Sequence, residues 1–179
     1  MPFNYYHRLS RKQQSTYRKS DGITEVDLPD PGRMRGLVSD IERGLAAESL
    51  ETVQSGSASL ARHVSNQLEI PRVDVKVLAR RPSDDWGELH GLYEPGEPPR
   101  CARITVWMRT AKREQVVAFK TYLRTLLHEI GHHLDYEYYR LADSFHTEGF
   151  YKRENHLFQT LTREPTHAEP LQHQLFPET

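Results

Sequence analysis

Residues 114–136 read EQVVAFKTYLRTLLHEIGHHLDY. No proline interrupts them, and Val116, Phe119, Leu123, Leu126, Leu127, Ile130 and Leu134 return at three- and four-residue steps. That is the apolar stripe of a buried amphipathic helix. Within it, His128-Glu129-Ile130-Gly131-His132 is an H-E-x-x-H motif. Histidines four apart on a helix share a face, so both imidazoles reach one metal ion. Glu129, next in line, stands where a general base toward a metal-held water is needed. A helix with ordinary core histidines explains neither the spacing nor Glu129. Gly131 costs about 1 kcal/mol in a helix interior relative to Ala, so it calls for a packing reason, such as close approach to a sheet. His133 points about 100° away from His132. It is read as a surface residue or a support for the ligands, not as a ligand.

A third ligand is expected further on. The polar stretch Arg140–Ser144 turns the chain, and Asp143 or Ser144 could cap a new helix. That helix is predicted from about Thr147 to Leu161, with Phe150, Leu157, Phe158 and Leu161 on its apolar face. His146 then lies at the helix entrance. Three imidazoles leave a fourth position open, as in catalytic zinc sites and unlike the closed structural kind. Glu148 and Glu154 are rivals, because two histidines and a glutamate also form a catalytic set; Asp143 is a more remote one. The candidate site is therefore His128, His132 and His146 as metal ligands, Glu129 as catalytic base, and Zn2+ as cofactor. Asp135, one turn beyond His132, reads either as an ordinary surface or capping residue or as a group that orients a ligand imidazole. Tyr93, Tyr136, Tyr151 and Arg153 have the chemistry to stabilise an oxyanion, though the sequence assigns that role to none of them.

The pattern H-E-x-x-H, thirteen residues, then H-x-x-x-F opening a helix is carried by His128, Glu129, His132, His146 and Phe150. It resembles the SprT-like (Spartan-type) zinc metalloprotease domains, and the run from His128 to Asn155 resembles small bacterial members of that group. The resemblance spans roughly residues 70–161. It implies zinc held by the two helix histidines and the later one, with the glutamate as base. It also implies a zincin architecture, a small twisted sheet packed by helices. In that arrangement an edge strand runs along the cleft, and a peptide substrate adds to it through main-chain hydrogen bonds. SprT-like proteins often carry a C-terminal zinc ribbon. The single cysteine, Cys101, allows none here, which removes that support for a DNA-associated role.

Working outward, Val73, Val75 and Val77 alternate with Asp74 and Lys76, and Ile104, Val106 and Met108 alternate with Thr105 and Trp107. Both segments predict half-buried strands. Glu88–Tyr93 is a further strand or hairpin arm after a loop at residues 80–87. Either Glu88–Tyr93 or Arg103–Met108 would be the edge strand. Upstream, one helix is expected over residues 35–54, with an interruption at Gly56 and a continuation from Ser59 to Leu68. Helices, then strands, then the metal helix is an α+β order. Residues 1–33 are read as a basic N-terminal arm or helix packed on the body, 34–163 as the zincin domain, and 164–179 as a proline-rich tail that could occlude the cleft.

The chain of 179 residues suffices for one core. Mean hydropathy is −0.75, and no apolar run approaches the roughly 20 residues of a membrane span. No signal-peptide pattern opens the sequence, and a lone cysteine suits a reducing compartment, so a cytoplasmic setting is expected. Net charge is −1, which argues against a dominant nucleic-acid footprint. Arg8, Arg11, Lys12, Arg18 and Lys19, interleaved with Tyr5, Tyr6 and Tyr17, leave a nucleic-acid partner possible. The expected function is zinc-dependent hydrolysis of peptide bonds in a polypeptide substrate. The alternative is a zinc-containing binding module without significant hydrolysis.

Overall fold

The computed structural model describes residues 3–84 and 87–163, with backbone only at 83, 84, 87 and 88. The proline-rich tail lies outside the described residues. The chain opens with a short 3-10 turn, Asn4–Arg8, and then α1, Arg11–Asp21. Ser10 and Gln13 form a capping box that fixes the start of α1. Helices α2 (Gly32–Ala46) and α3 (Leu50–Gln67) follow.

The expected interruption at Gly56 is corrected here. The chain breaks at Ala47–Ser49, where Glu48 takes φ 54° and the Ser49 side chain accepts from Thr52 N. Gly56 instead lies inside α3, where an added Cβ would come within 2.8 Å of Ile41 Cγ1. Its absence of side chain lets α2 and α3 pack closely.

Strands β1 (Val73–Arg80) and β5 (Ala102–Arg109) pair in parallel, and β4 (Gly91–Glu94) pairs antiparallel to β5. The order β1-β5-β4 makes β5 central and β4 an edge. Arg103–Met108 is thus excluded as the edge strand. Two short segments, β2 (Ser83–Asp84) and β3 (Gly87–Glu88), form a separate antiparallel pair, the first inside the expected loop and the second across its end. At the other edge, the Gln54 amide donates to Val75 O (2.9 Å) and accepts from Val77 N (2.7 Å).

Helix α4, Phe119–Glu137, is the metal helix. It starts later than the apolar pattern suggests, because Val116 bridges to Arg109 and Val117 N donates to Met108 O. Those residues continue the sheet instead of the helix. Leu123, Leu126, Leu127, Ile130 and Leu134 are buried in one core with Val75, Val77, Ile104 and Val106. Each such side chain contributes about 1.5–3 kcal/mol on burial. Arg140, at φ 53°, reverses the chain after α4. Helix α5, Glu148–Thr162, is capped by Thr147, whose side chain accepts from Phe150 N at 2.9 Å, and not by Asp143 or Ser144. The fold is α+β, a twisted sheet packed by helices with the H-E-x-x-H helix against it, as the sequence predicts. Among the described residues, no helix is long and apolar enough to cross a membrane.

Candidate metal centre

Helix α4 presents His128 and His132 one turn apart, and the loop before α5 brings His146 between them. His146 Nε2 lies 3.0 Å from His128 Nε2 and 3.1 Å from His132 Nε2. Among the described residues these three form a group able to hold a metal ion, their ligand atoms all within 4.8 Å of one another. Two nitrogens bound tetrahedrally at 2.0–2.1 Å would stand roughly 3.3 Å apart, so the spacing is close to that of a bound triad.

The proton inventory around the rings points the same way. Glu154 Oε2 sits 3.1 Å from His128 Nδ1. A carboxylate only accepts, so His128 carries its proton on Nδ1 and turns a bare Nε2 inward. On His132, Nδ1 lies 2.7 Å from Ser144 Oγ, and that hydroxyl donates to Asp135 Oδ2 at 2.7 Å. A hydroxyl has one proton. Spent on Asp135, it leaves Ser144 as acceptor, so His132 also keeps its proton on Nδ1 and a lone pair on Nε2. Two lone pairs therefore face the same point as His146 Nε2, which is a donor set suited to a cation. Burial and the two neighbouring histidines lower His132 to about 3, and burial lowers His146 as well, so these two rings favour the neutral, ligand-ready form.

Asp135, fully buried, is held in turn by Arg153, whose Nη2 lies 2.6 Å from Oδ1. Burial raises the Asp135 carboxyl, while Arg153 and Ser144 pull it down; a buried guanidinium at this distance holds it as the carboxylate. The expectation that Asp135 orients a ligand imidazole thus takes definite form, through Ser144. The rivals for third ligand are placed elsewhere. Glu154 sits behind His128, and Glu148 is exposed and paired with Lys152 at 2.8 Å. Asp143 caps the Ser144 amide at 2.9 Å.

Phe150 forms a floor beneath the triad, its ring centroid 4.9 Å from those of His128 and His132 and 5.3 Å from that of His146. The same ring explains Gly131. A Cβ there would meet Phe150 at 3.2 Å, so the close approach is to α5 and not to the sheet.

Glu129 points toward the edge strand. A Cβ on Gly91 would lie 2.3 Å from Glu129 Oε1, so only glycine at that place on β4 leaves room for the carboxylate. Burial lifts Glu129 to about 7, with His128 pulling the other way. A cleft of about 420 Å³, lined by Leu89, Gly91, Thr125, His128, Glu129 and Glu154, opens beside it.

His133 is buried, which corrects its surface reading. Its Nε2 donates to Pro71 O at 2.8 Å, so its Nδ1 accepts from the Tyr93 hydroxyl at 3.2 Å. This chain of bonds ties α4 to β4. Of the oxyanion candidates, Arg153 is engaged by Asp135, Ser20 and Ile23. Tyr93 is bonded to His133, and Tyr136 stacks on Tyr93. Tyr151 is exposed and stacks on His146, centroids 6.0 Å apart. Cys101 is exposed and outside the cluster. Ser144 and the buried position of Arg153 were not legible as parts of the site. Arg153, within a run of polar residues, has no sequence signal that separates it from a surface arginine.

The class these features define is a zincin-type arrangement: an H-E-x-x-H helix beneath a sheet edge, with a third histidine returned by the loop before the following helix. No protein-family model, curated protein or solved structure matches the chain.

Proposed function

We propose that this chain is a zinc-dependent metallopeptidase of SprT-like type acting on extended polypeptide. The observation that carries the reading is the convergence of three imidazoles next to a buried Glu129 that faces an edge strand across Gly91. His128, His132 and His146 would hold the ion. Zinc, when bound, supplies a Lewis acid for the scissile carbonyl and lowers the pKa of a water toward ~7. Glu129 takes the proton from the attacking water and returns it to the leaving amine. Its raised carboxyl places it near the operating pH for both transfers. Strand β4, an edge of the sheet, offers its outward main-chain groups to the substrate, which adds as a further antiparallel strand. The Tyr93–His133–Pro71 bonds keep that strand at fixed distance from α4.

In this reading residues 34–163 form the peptidase unit, with 1–33 packed on it, in a reducing, cytoplasmic setting consistent with one cysteine. A zinc-held binding module would need no base at Glu129, and net charge gives a nucleic-acid partner little support. The test is metal analysis of the purified chain together with cleavage of an unfolded protein by wild type and Glu129→Gln. About one zinc per chain in both, with cleavage by wild type alone, supports the proposal. Equal cleavage by both proteins would refute the role of Glu129. Zinc without any cleavage would favour the binding module.

A further inference from the structure

His146 differs from the other two candidate ligands in being carried by a loop. The loop has few backbone bonds of its own. Leu141 N donates to Asp135 O, and Thr147 N donates to Phe145 O across His146 itself. A second set of contacts comes from more than 120 residues earlier in the chain. The Tyr5 hydroxyl donates to His146 O at 3.2 Å. The Tyr17 ring packs on that of Phe145, centroids 6.0 Å apart. Ser20 Oγ meets Thr147 Oγ1 at 3.3 Å, both groups buried. Gly149 N donates to Asp21 Oδ1 at 3.1 Å. Phe3 and Tyr151 meet edge to face, and Tyr151 stacks on His146.

Arg153 extends this hold to His132. Its Nη1 donates to Ser20 O (2.7 Å) and Ile23 O (2.6 Å) in the arm, while its Nη2 grips Asp135. Asp135 orients Ser144, and Ser144 orients the His132 ring. One guanidinium thus joins the arm to a ligand on α4, and Tyr5 joins it to the ligand on the loop.

Resting on the metal-centre reading above, we propose that residues 3–23 are a working part of that centre. They position His146 directly and His132 through Arg153, so metal binding and docking of the arm strengthen one another. The coupling is reciprocal by thermodynamic necessity. A metal that fixes His146 stabilises the loop surface on which the arm sits. An arm in place removes the cost of ordering that loop when metal arrives.

Gly149→Ala tests this without touching a ligand, because its Cβ would fall 2.4 Å from Asp21 O, a backbone atom that cannot turn aside. Tyr5→Phe is a gentler second variant that removes the bond to His146 O. Zinc affinity, measured on full-length protein by chelator competition below the unfolding temperature, should fall roughly 10–100-fold in Gly149→Ala, the range typical of lost support behind a ligand. It should fall by a smaller factor in Tyr5→Phe. The converse readout is trypsin cleavage in the arm, after Arg8, Arg11, Lys12, Arg18 or Lys19. Zinc should slow it in wild type and do so less in Gly149→Ala. Zinc also protects any site through global stability, so the readout is protection of the arm beyond that of sites in the rest of the chain, which a merely structural arm would not show. If Gly149→Ala fails to fold, Tyr5→Phe and the wild-type protection decide. Wild-type affinity in the folded variants, with zinc-independent cleavage, overturns the coupling alone. A wild-type chain that takes up no zinc sinks the metal-centre reading and the coupling with it.

Discussion

The two supports of the candidate metal centre solve one problem in opposite ways. On α4, His128 and His132 are placed by the helix itself. Its pitch aligns them, and a core of leucines and Ile130 holds the helix against the sheet. On the loop between Leu141 and Thr147, nothing periodic places His146, which is exposed. Its position is borrowed from Phe150 below, from Tyr151 beside it and from the N-terminal arm. A helix-borne ligand is inexpensive in sequence, requiring only the right spacing. A loop-borne ligand needs contacts scattered over the chain, and these contacts are also where its position can be altered.

Four substitutions sharpen or break that contrast. Glu129→Gln should have the largest effect, lowering kcat on an unfolded polypeptide by roughly 10²–10⁴-fold. Zinc content and thermal stability should stay at wild-type values, because the helix places its residues independently of the chemistry. A parallel loss of zinc would show that Glu129 helps hold the ion.

Asp135→Asn cuts the link between helix and loop. It leaves the buried Arg153 without its counter-ion, and breaking such a pair costs about 3–5 kcal/mol. Denaturant unfolding should register this loss in the metal-free protein. An unchanged midpoint would mean that Arg153 finds other compensation.

Glu154→Gln acts on the helix side alone. The amide can still accept from His128 Nδ1 but no longer as a charged group. Zinc affinity should fall about tenfold, with protease sensitivity of the arm unchanged at saturating zinc. If the arm loosened too, the two supports would not be separable.

Gly131→Ala should have the smallest effect. The added methyl presses on Phe150 and costs about 1–3 kcal/mol, offset by about 1 kcal/mol of helix propensity. Because Phe150 underlies all three rings, the residual strain should appear as weaker zinc binding more than as a lowered Tm. A gain in both would mean that the floor has slack.

The same contrast explains what the sequence made legible. The metal helix, the β1 and β5 strands and the apolar face of α5 were readable because each repeats a period. His146 was readable through its place before a helix pattern, although the cap proved to be Thr147. The α2–α3 break was misplaced because its left-handed residue is a glutamate, Glu48, where a glycine would have given the turn away. Residues 114–117 were drawn into the helix because Val116 fits its stripe, while its partner, Arg109, lies across a turn that periodicity does not register. The supports behind the ligands were hidden for a related reason. Ser144, Arg153 and Tyr5 are polar residues in polar stretches, and only tertiary contact distinguishes them from surface.

The Gln54 amide makes the sheet one-sided. A strand added beyond β1 would have to use Val75 O and Val77 N, and both are already taken. On the metallopeptidase reading, the molecule handles extended polypeptides, the very chains most prone to join any free strand edge. With two open edges, captured chains could stack on both sides and begin a cross-β array. With Val75 O and Val77 N occupied, strands add on the β4 side alone. On that reading the sheet is an end from which strands extend in one direction, not a middle that grows in two.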